Sequence, residues 1–444
     1  MVFTLRETTL EMTRQITASY YRNPHIALVT VGTGGGKTYG AIHTLASYYP
    51  DALLLVFTTT KVRSSKQWEQ SVADYNSVMN TQLLVHVANY EGILTKKIQE
   101  RLDYLLESMQ TVNRKVFLVL DEAHKIKLSS NSALSTRAQL IIHYAKNPNV
   151  VSTLALSATP FSNSYLDLVP YFIIAHYYKD QRDFIKQHIR LFDKYFKPVV
   201  KDRAGRVRRD YFKHPEIIDQ HYANISVYID TDHLKPSVTT YHCRFKLTPT
   251  EQSNYNQLKK DFEKGLYEYP VQVRSAQEQL LASSLSGQKN RLLLYLLKQR
   301  EAGLFDEKQT PILIFYQYTV VYHELKALLE ATYPDYELRF IRGGITLSQA
   351  EMSEPENPNT IYLIQYESGG EGLDWQWSNL AIFYEAPVKN EKFKQSLGRN
   401  VRNKEIMPHV FHFYFEYVNT LDARRWLVNR YKQDFADDIA DRLF

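Results

Sequence analysis

Residues 31–38 read VGTGGGKT, and the apolar run IALVTV, residues 26–31, leads into them. A helix-like segment, residues 38–48, follows. Because glycine carries no side chain, a loop with several glycines lets successive backbone N–H groups close around the oxygens of a phosphate. The stretch therefore predicts a strand, a phosphate-binding loop and a helix. Val31 occupies the first position of the pattern G-x-x-x-x-G-K-[ST], so a plain glycine-rich connector is the alternative.

This loop assigns particular groups to a nucleotide. Lys37 is placed to reach the β- and γ-phosphates, and the Thr38 hydroxyl is placed to bind Mg²⁺. Gln15, in a predicted helix over residues 8–21, is a candidate for the adenine base because an amide offers one donor and one acceptor. A surface glutamine is the alternative. The residues predicted to bind the nucleotide in this part of the chain are Gln15, Thr33, Gly34, Gly35, Gly36, Lys37 and Thr38.

The composition is that of an ordinary globular chain with two or three domains. The sequence has 444 residues, of which 44% are hydrophobic and 23% charged. No apolar run approaches the ~18 residues that cross a bilayer, and the N-terminal stretch lacks an apolar signal core. The single cysteine, Cys243, excludes an internal disulfide and suits a reducing compartment, so a cytoplasmic location without membrane contact is predicted. The net charge of +6 permits a polyanionic partner without requiring one.

A second motif, KVFLVLDEAHKIK at residues 115–127, places two acids at the end of a predicted strand. Functional groups in open α/β sheets gather at the C-terminal ends of strands, where the phosphate loop also lies. Nucleotide hydrolysis needs a carboxylate that holds Mg²⁺ and a group that orients the attacking water. We assign the first task to Asp121 and the second to Glu122. His124 is predicted to couple the site to motion, because Mg²⁺ prefers oxygen ligands.

The run VVSTLALSATP, residues 150–160, reads as a buried strand that ends in short hydroxyl side chains. Ser157 and Thr159 are predicted to hydrogen-bond the acidic pair and to couple the state of the nucleotide to a neighbouring domain. The alternative is an ordinary strand end before a proline turn.

Another apolar run, residues 53–57, is followed by hydroxyl and basic side chains. By the same rule about strand ends, these side chains are candidates for gripping a phosphodiester backbone, and a solvated loop is the alternative. The residues concerned are Thr58, Thr59, Thr60 and Lys61.

Residues 167–300 become helix-like, aromatic and basic, which predicts a helical insertion. Six cations at spacings of three or four predict one basic helix face that contacts phosphates: Lys179, Arg182, Lys186, Arg190, Lys194 and Lys197. Acidic residues are interspersed, so a solvated surface is the alternative.

Strand-like and helix-like segments alternate again from residue 311 onward, which predicts a second parallel sheet with helices on both faces. The fold class is therefore α/β. The predicted domains are residues 1–166, the insertion at residues 167–300, and residues 301–444.

Two stretches of the second α/β unit carry candidate functional residues. In SGGEGLDW, residues 368–375, the glycines allow a backbone to approach a ligand closely. In KQSLGRNVR, residues 394–402, Gln395, Arg399 and Arg402 have spacings of four and three and so share one helix face. Arginine's planar fork suits the charge that develops on a γ-phosphate, so we expect both arginines to act at a site on the other domain. A basic surface helix is the alternative.

Taken in order, VGTGGGKT, DEAHKIK, LSATP, SGGEGLDW and QSLGRNVR resemble motifs I, II, III, V and VI of the superfamily 2 helicases. Within that superfamily the chain is most similar to the Swi/Snf-type translocases, whose acidic box continues as DEAH-x-[IL]-K. Tyr90 with Glu91 also resembles that family's Tyr-Glu after the third strand.

The resemblance implies two RecA-like domains with ATP and Mg²⁺ as cofactors. It implies that Lys37, Asp121, Glu122, Gln395, Arg399 and Arg402 take part in hydrolysis, and that Gly372 and Asp374 approach the nucleotide. It also implies nucleic-acid contacts at the loop after residue 57 and at Tyr90, Ser368, Gly369 and Gly370.

The expected function is an ATP-driven DNA helicase or translocase, such as a stripped-down prokaryotic, phage or plasmid member that works in replication. The expected partner is single- or double-stranded DNA, with replication or recombination proteins as further partners. RNA is less favoured, but the sequence discriminates poorly because backbone-gripping loops read phosphates. An ATP-gated clamp or loader that binds nucleic acid without moving is the alternative from another class.

Overall fold

The fold is that of a computed structural model. It describes residues 7–32, 35–126, 133–157, 165–195, 197–200, 208–264, 266, 270–282, 287–305, 309–343, 354–369, 375–388, 393, 396–401 and 403–429. The described chain forms two compact units, and the boundary between them in the sequence lies between His233 and Leu234.

The first unit is built on a six-stranded, wholly parallel sheet in the order β3-β2-β4-β5-β1-β6. Its strands are β1 (Ile26–Val31), β2 (Leu53–Thr58), β3 (Leu84–Asn89), β4 (Val116–Asp121), β5 (Val150–Ser157) and β6 (Ser226–Ile229). Every residue of β2 is buried, which explains its continuous apolar run, because helices cover both faces of a parallel sheet. The carboxyl ends of β1, β5 and β4 lie side by side, and this order brings the predicted motifs to one sheet edge.

Helices lie before and between these strands. They are α1 (Glu7–Arg22), α2 (Lys37–Tyr48), α3 (Thr60–Ser64), α4 (Gln67–Met79), α5 (Lys96–Thr111), α6 (Thr136–Ala145), α7 (Val169–Ile174), α8 (Gln181–His188) and α9 (Pro215–Ile225).

The second unit has a six-stranded parallel sheet of its own, in the order β7-β12-β11-β8-β10-β9. Its strands are β7 (Ser237–Phe245), β8 (Ile312–Tyr316), β9 (Glu337–Ile341), β10 (Thr360–Gln365), β11 (Leu380–Phe383) and β12 (His409–Tyr417). Its helices include α10 (Pro249–Glu263), α11 (Pro270–Ala282), α12 (Gln288–Glu301), α13 (Thr319–Thr332) and the short helix Tyr366–Gly369. Two parallel sheets, each accompanied by helices, confirm the predicted α/β fold class.

The residues predicted as a helical insertion are divided between the two units. Strand β6 pairs with β1 of the first unit, and β7 pairs with β12 of the second. The sequences SVYI and SVTTYHCRF are rich in β-branched and aromatic residues, which favour strands. The division in the structure therefore falls inside the predicted insertion, and Cys243 lies half-buried in β7.

The predicted basic helix face is wrong beyond residue 188. Helix α8 ends at His188, and Ile189 is extended and pairs in antiparallel fashion with Phe212. Arg190, Lys194 and Lys197 therefore lie outside the helix, as does Lys179, which precedes it.

Within the described ranges, no helix combines the length and the apolar character that spanning a membrane requires.

Candidate nucleotide site

In the loop between β1 and α2, Gly35 has no room for a side chain and Gly36 has a backbone conformation that favours glycine. A Cβ on Gly35 would lie 2.5 Å from Val31 Cγ2 and 2.9 Å from Thr231 Cγ2. Gly36 has a φ of +81°, a left-handed conformation that favours glycine, and it is the N-cap of α2. Gly36 offers no side-chain acceptor to the first-turn N–H groups of α2, which suits the binding of an anion at this helix end. Thr33 and Gly34 lie outside the described residues.

Helix α1 packs directly on α2 beside this loop. A Cβ on Gly40 would lie 2.3 Å from Met12 Sδ, and the Thr13 and Thr44 hydroxyls are 3.0 Å apart. The position of a Cβ on Gly36 would be 3.8 Å from Thr9 Oγ1. Gln15 lies six residues further along α1, roughly 9 Å along its axis, and its amide donates to Glu11 Oε1 at 2.8 Å. The structure thus places Thr9 beside the loop and keeps the Gln15 amide on its own helix.

Asp121, the last residue of β4, is held by two donors from the β2 side of the sheet. The Thr58 hydroxyl donates to Asp121 Oδ2 at 2.8 Å, and the Trp68 indole N–H donates to the same oxygen at 3.2 Å. The backbone carbonyl of Asp121 accepts a hydrogen bond from the Tyr90 hydroxyl at 2.9 Å. Because both side-chain donors use Oδ2, the orientation of the carboxylate is fixed.

The electrostatic surroundings of Asp121 include the loop lysine. Burial and the neighbouring Glu122 carboxylate raise the pKa of Asp121 above its ordinary value. The positive charge of Lys37 and the hydrogen bonds from Trp68 and Thr58 act on that pKa in the opposite direction. Lys37, at the first position of α2, is therefore close enough to Asp121 for the two charges to interact across the intervening strand β5.

Glu122 begins a tight turn with an unusual backbone. Its φ of +55° is left-handed, which is uncommon for a residue with a side chain, and the 3₁₀ turn Ala123–Lys125 follows it. A hydrogen bond from α7 stabilises the turn, since the Tyr171 hydroxyl donates to the Ala123 carbonyl at 2.8 Å. Strain of this kind clusters at functional sites.

His124 bridges the acidic turn and the end of β5. Its Nδ1 lies 3.3 Å from Glu122 Oε2 and 3.3 Å from the Ser157 hydroxyl oxygen, and both His124 and Ser157 are buried. The structure brings together three of the predicted residues, and Thr159 lies outside the described part of the chain.

Three residues predicted to grip nucleic acid are buried and occupied elsewhere. Thr58 is fully buried against Asp121, Thr59 is buried with its hydroxyl oxygen 3.5 Å from Val62 N, and Tyr90 is fully buried with its hydroxyl on the Asp121 carbonyl. The physical reason is strand order: β2 lies next to β4, so the end of β2 faces the acidic residue. The predicted nucleic-acid contacts at Thr58, Thr59 and Tyr90 are therefore wrong for this structure. The side chain of Lys61, in α3, lies outside the described residues.

An exposed polar network lies beside the buried residues. Asn89 Nδ2 donates to the Thr60 hydroxyl oxygen at 3.0 Å, and Arg63 donates to Asn89 Oδ1 at 3.0 Å. The Thr60 hydroxyl also contacts Glu91 Oε2 at 3.3 Å, and Arg137 reaches Glu91 Oε1 at 3.3 Å. Among the four predicted residues at the end of β2, residues 58–61, Thr60 is the one whose described side chain faces solvent.

In the second unit, the predicted residues lie after two strands. Ser368 and Gly369 belong to the short helix at the carboxyl end of β10. Arg399 is 5% exposed, and its backbone carbonyl accepts a hydrogen bond from the Trp375 N–H at 3.1 Å. The residues that lie outside the described part are Gly370, Gly372, Asp374, Gln395 and Arg402.

The segment around Arg399 is fixed to the sheet through a buried histidine. His412 Nε2, on β12, donates to Asn400 Oδ1 at 3.1 Å. Burial lowers the pKa of His412 to about 3, so the imidazole is neutral.

The sequence of residues 2–162 matches the family model described as type III restriction enzyme, res subunit. By this match the segment is similar to the helicase domains of superfamily 2. The match covers the glycine loop, the acidic turn and the end of β5.

A search of curated proteins gave no match to this chain. Among solved structures, the chain is similar to the Sulfolobus solfataricus SWI2/SNF2 ATPase core in complex with dsDNA. The identity is 15%, the alignment covers 98% of this chain and 93% of that chain, and the TM-score is 0.36.

Two residues that contact the site, Trp68 and Arg137, belong to none of the sequence motifs. Trp68 lies in KQW, ten residues after the end of β2. A tryptophan at this position is typical of a hydrophobic core, and only the structure shows its hydrogen bond to Asp121. Arg137, on α6, donates to the Tyr90 carbonyl at 3.1 Å and joins the loop after β3 to α6.

Proposed function

We propose that the protein is an ATP-dependent translocase or helicase that moves along DNA. The match of residues 2–162 to the family model supports a helicase-type first domain, and the geometry of the site supports nucleotide hydrolysis.

The observation that carries the proposal is the placement of Lys37 and Asp121 at one sheet edge. Lys37 follows a loop in which a Cβ on Gly35 would clash with Val31. The charge of Lys37 lowers the pKa of Asp121, whose carboxylate is oriented by Thr58 and Trp68. A cation for phosphates and an oriented carboxylate for a metal are the complementary parts that phosphoryl transfer to water needs.

The residues present fit ATP and Mg²⁺. The side-chain-free cradle at Gly35 and Gly36 and the uncapped start of α2 suit phosphate oxygens. The Thr38 hydroxyl and Asp121 supply oxygen ligands of the type that Mg²⁺ prefers. Bound Mg²⁺ would neutralise charge on the phosphates.

The remaining roles belong to side chains of the acidic turn and of motif VI. Glu122 orients the attacking water, and the chain Glu122–His124–Ser157 passes a change at the water to the end of β5. Arg399 and Arg402, with Gln395, stabilise the γ-phosphate in the transition state. In this proposal, Ser368, Gly369 and Thr60 contact the nucleic-acid backbone.

DNA is favoured over RNA as the track. The family whose model matches the first domain is named for a restriction enzyme. The motif pattern also resembles that of the Swi/Snf-type translocases.

The test is steady-state ATP hydrolysis with and without DNA, for the wild type and three single variants. We expect Lys37→Ala, Glu122→Gln and Arg399→Ala each to lose most of the DNA-stimulated turnover, since removing a transition-state charge contact costs roughly 10²-fold or more. Lys146→Ala is the matched control, because this exposed lysine lies before β5, at the opposite sheet edge. Turnover like that of the wild type in all three variants would refute the proposal.

A second experiment separates the alternatives. Displacement of an annealed strand and of a triplex-forming strand, run on tailed and blunt DNA, distinguishes unwinding from duplex translocation. Hydrolysis with neither displacement would indicate the clamp or loader. Stronger stimulation by RNA than by DNA of equal length would replace DNA with RNA as the track.

A further inference from the structure

The first unit carries two short antiparallel arms, residues 190–195 and 197–199, which are here called the basic hairpin. Its two arms are joined by backbone hydrogen bonds from Val199 N to Leu191 O at 2.9 Å and from Asp193 N to Lys197 O at 3.0 Å. Phe192 pairs in antiparallel fashion with Pro198.

The hairpin is held at its tip and at its base. At the tip, Asp193 Oδ1 accepts hydrogen bonds from Tyr195 N at 2.8 Å and Lys197 N at 2.9 Å. At the base, Lys213 N donates to His188 O at 2.8 Å. Hydrogen bonds within the hairpin thus stabilise its tip, and the Asp193 carboxylate accepts two of them from backbone N–H groups.

The hairpin exposes apolar and basic side chains together. Tyr195 is 67% exposed, Phe192 46% and Leu191 42%. Lys194 and Lys197 are exposed beside them, and Lys194 Nζ lies 5.0 Å from the centre of the Tyr195 ring. Because an aromatic ring and two cations face solvent together, the arrangement favours a partner that offers both a flat ring and negative charge.

We propose that the basic hairpin binds single-stranded nucleic acid, with Tyr195 stacked on a base and with Lys194 and Lys197 on the neighbouring phosphates. Unpaired bases expose the ring face that an aromatic side chain stacks on, whereas bases in a duplex stack on one another. This inference rests on the proposed function, because the nucleic acid bound by the hairpin is the same polymer along which the protein is proposed to move.

The hairpin belongs to a part of the first unit that also supports the nucleotide site. Helix α7, which precedes it, donates through Tyr171 to the carbonyl of Ala123 in the acidic turn. The described chain that follows the hairpin, from residue 208 onward, is anchored by an ion pair between Arg209 and Asp219. Asp219 also accepts a hydrogen bond from the Tyr165 hydroxyl. The hairpin is therefore in the same unit as α7, the helix whose Tyr171 contacts the acidic turn.

The test of stacking is the affinity of the full chain, without ATP, for a labelled oligothymidylate of about 16 nucleotides, measured by fluorescence anisotropy. We expect Tyr195→Ala to raise Kd roughly tenfold and Tyr195→Phe to preserve Kd, because phenylalanine keeps the ring. Tyr104→Ala is the matched control, since Tyr104 is 72% exposed on α5 of the same unit. Melting temperatures check that each variant is folded.

The test of the phosphate contacts is the salt dependence of the same Kd. Each lost phosphate contact lowers the slope of log Kd against log salt by about 0.7 for single strands, so Lys197→Ala is expected to show that decrease and Lys146→Ala is not. Oligouridylate in a parallel titration shows whether the site discriminates RNA from DNA.

The outcomes separate this inference from the proposed function. An unchanged Kd in folded Tyr195→Ala overturns the inference, whatever the rate of hydrolysis. Equal weakening of single-stranded and duplex binding by Tyr195→Ala overturns the stacking. If the expected loss of affinity occurs in a chain that does not hydrolyse ATP, the hairpin site stands and the proposed function fails.

Discussion

The Trp68 indole donates a hydrogen bond to Asp121 Oδ2, the same oxygen that accepts from the Thr58 hydroxyl. Trp68 lies near the start of α4, and Thr58 ends β2. Two donors from the segment that surrounds α3 thus fix the carboxylate that we assign to Mg²⁺. A shift of α3 or α4 on contact with a nucleic acid would act directly on Asp121.

The Thr58→Val substitution tests this restraint, because valine keeps the shape of threonine and removes the hydroxyl. We expect kcat for DNA-stimulated hydrolysis to fall roughly tenfold, the equivalent of about 1.4 kcal/mol for one lost hydrogen bond to a charged group. Thr310→Val is the control, since the buried Thr310 hydroxyl donates to Asn379 in the second unit at 2.6 Å. If both variants reduce kcat equally, the effect is general destabilisation and Thr58 has no special role.

Gly35→Ala is expected to abolish nucleotide binding and to destabilise the first unit by about 1–3 kcal/mol, because the new Cβ meets Val31 and Thr231. Binding of a fluorescent ATP analogue and a thermal melt measure the two effects. Gly343→Ala is the control, since a Cβ there has no neighbour within 4 Å. Nucleotide binding by Gly35→Ala at the affinity of the wild type would contradict the cradle.

Strands such as β2, β4 and β8 were predictable because parallel strands buried on both faces read as apolar runs. Strands β6 and β7 were not, because they lie within the residues predicted as a helical insertion and β7 is largely exposed. The contact of Thr58 with Asp121 was not predictable, because it depends on β2 lying beside β4, which is a property of the tertiary fold. A hydroxyl at a strand end looks the same whether it faces a ligand or a neighbouring strand. The basic face failed similarly, since residue spacing does not reveal that Ile189 pairs with Phe212.

Lys289→Met is expected to lower the unfolding free energy of the second unit by about 3–5 kcal/mol, because it leaves a buried charge without its partner. Lys289 Nζ lies 3.3 Å from Asp422 Oδ2, and both side chains are buried. Chemical denaturation followed by tryptophan fluorescence measures the change, since three of the four tryptophans lie in this unit.

Adding Asp422→Asn to Lys289→Met gives the matched control. The amide oxygen is still able to accept the hydrogen bond from Tyr417 N, and the buried charge is gone. We expect the double variant to be more stable than Lys289→Met alone. A double variant that is less stable would show that the lost packing of Lys289, and not the orphaned charge, sets the cost.

His412 predicts how the stability of the second unit depends on pH. Burial against Phe383, whose ring centre is 5.3 Å away, keeps the folded pKa of His412 near 3, whereas an unfolded histidine has a pKa near its ordinary value of about 6.5. Between these values the unfolded chain binds a proton that the folded chain does not. The contribution of His412 is therefore present above pH ~6.5 and is lost as the pH falls, by about 2 kcal/mol at pH ~5.

His412→Gln isolates this contribution, because the glutamine amide does not titrate and offers an N–H to Asn400. Urea denaturation of the wild type and the variant from pH ~8 to ~5 is the measurement, followed by tryptophan fluorescence. Carboxylates titrate alike in both chains, so their effect cancels in the difference between the two curves. We expect that difference to shrink or reverse as the pH falls, since only the wild type loses stability through residue 412. Parallel curves would mean that His412 is already accessible to protons in the folded chain.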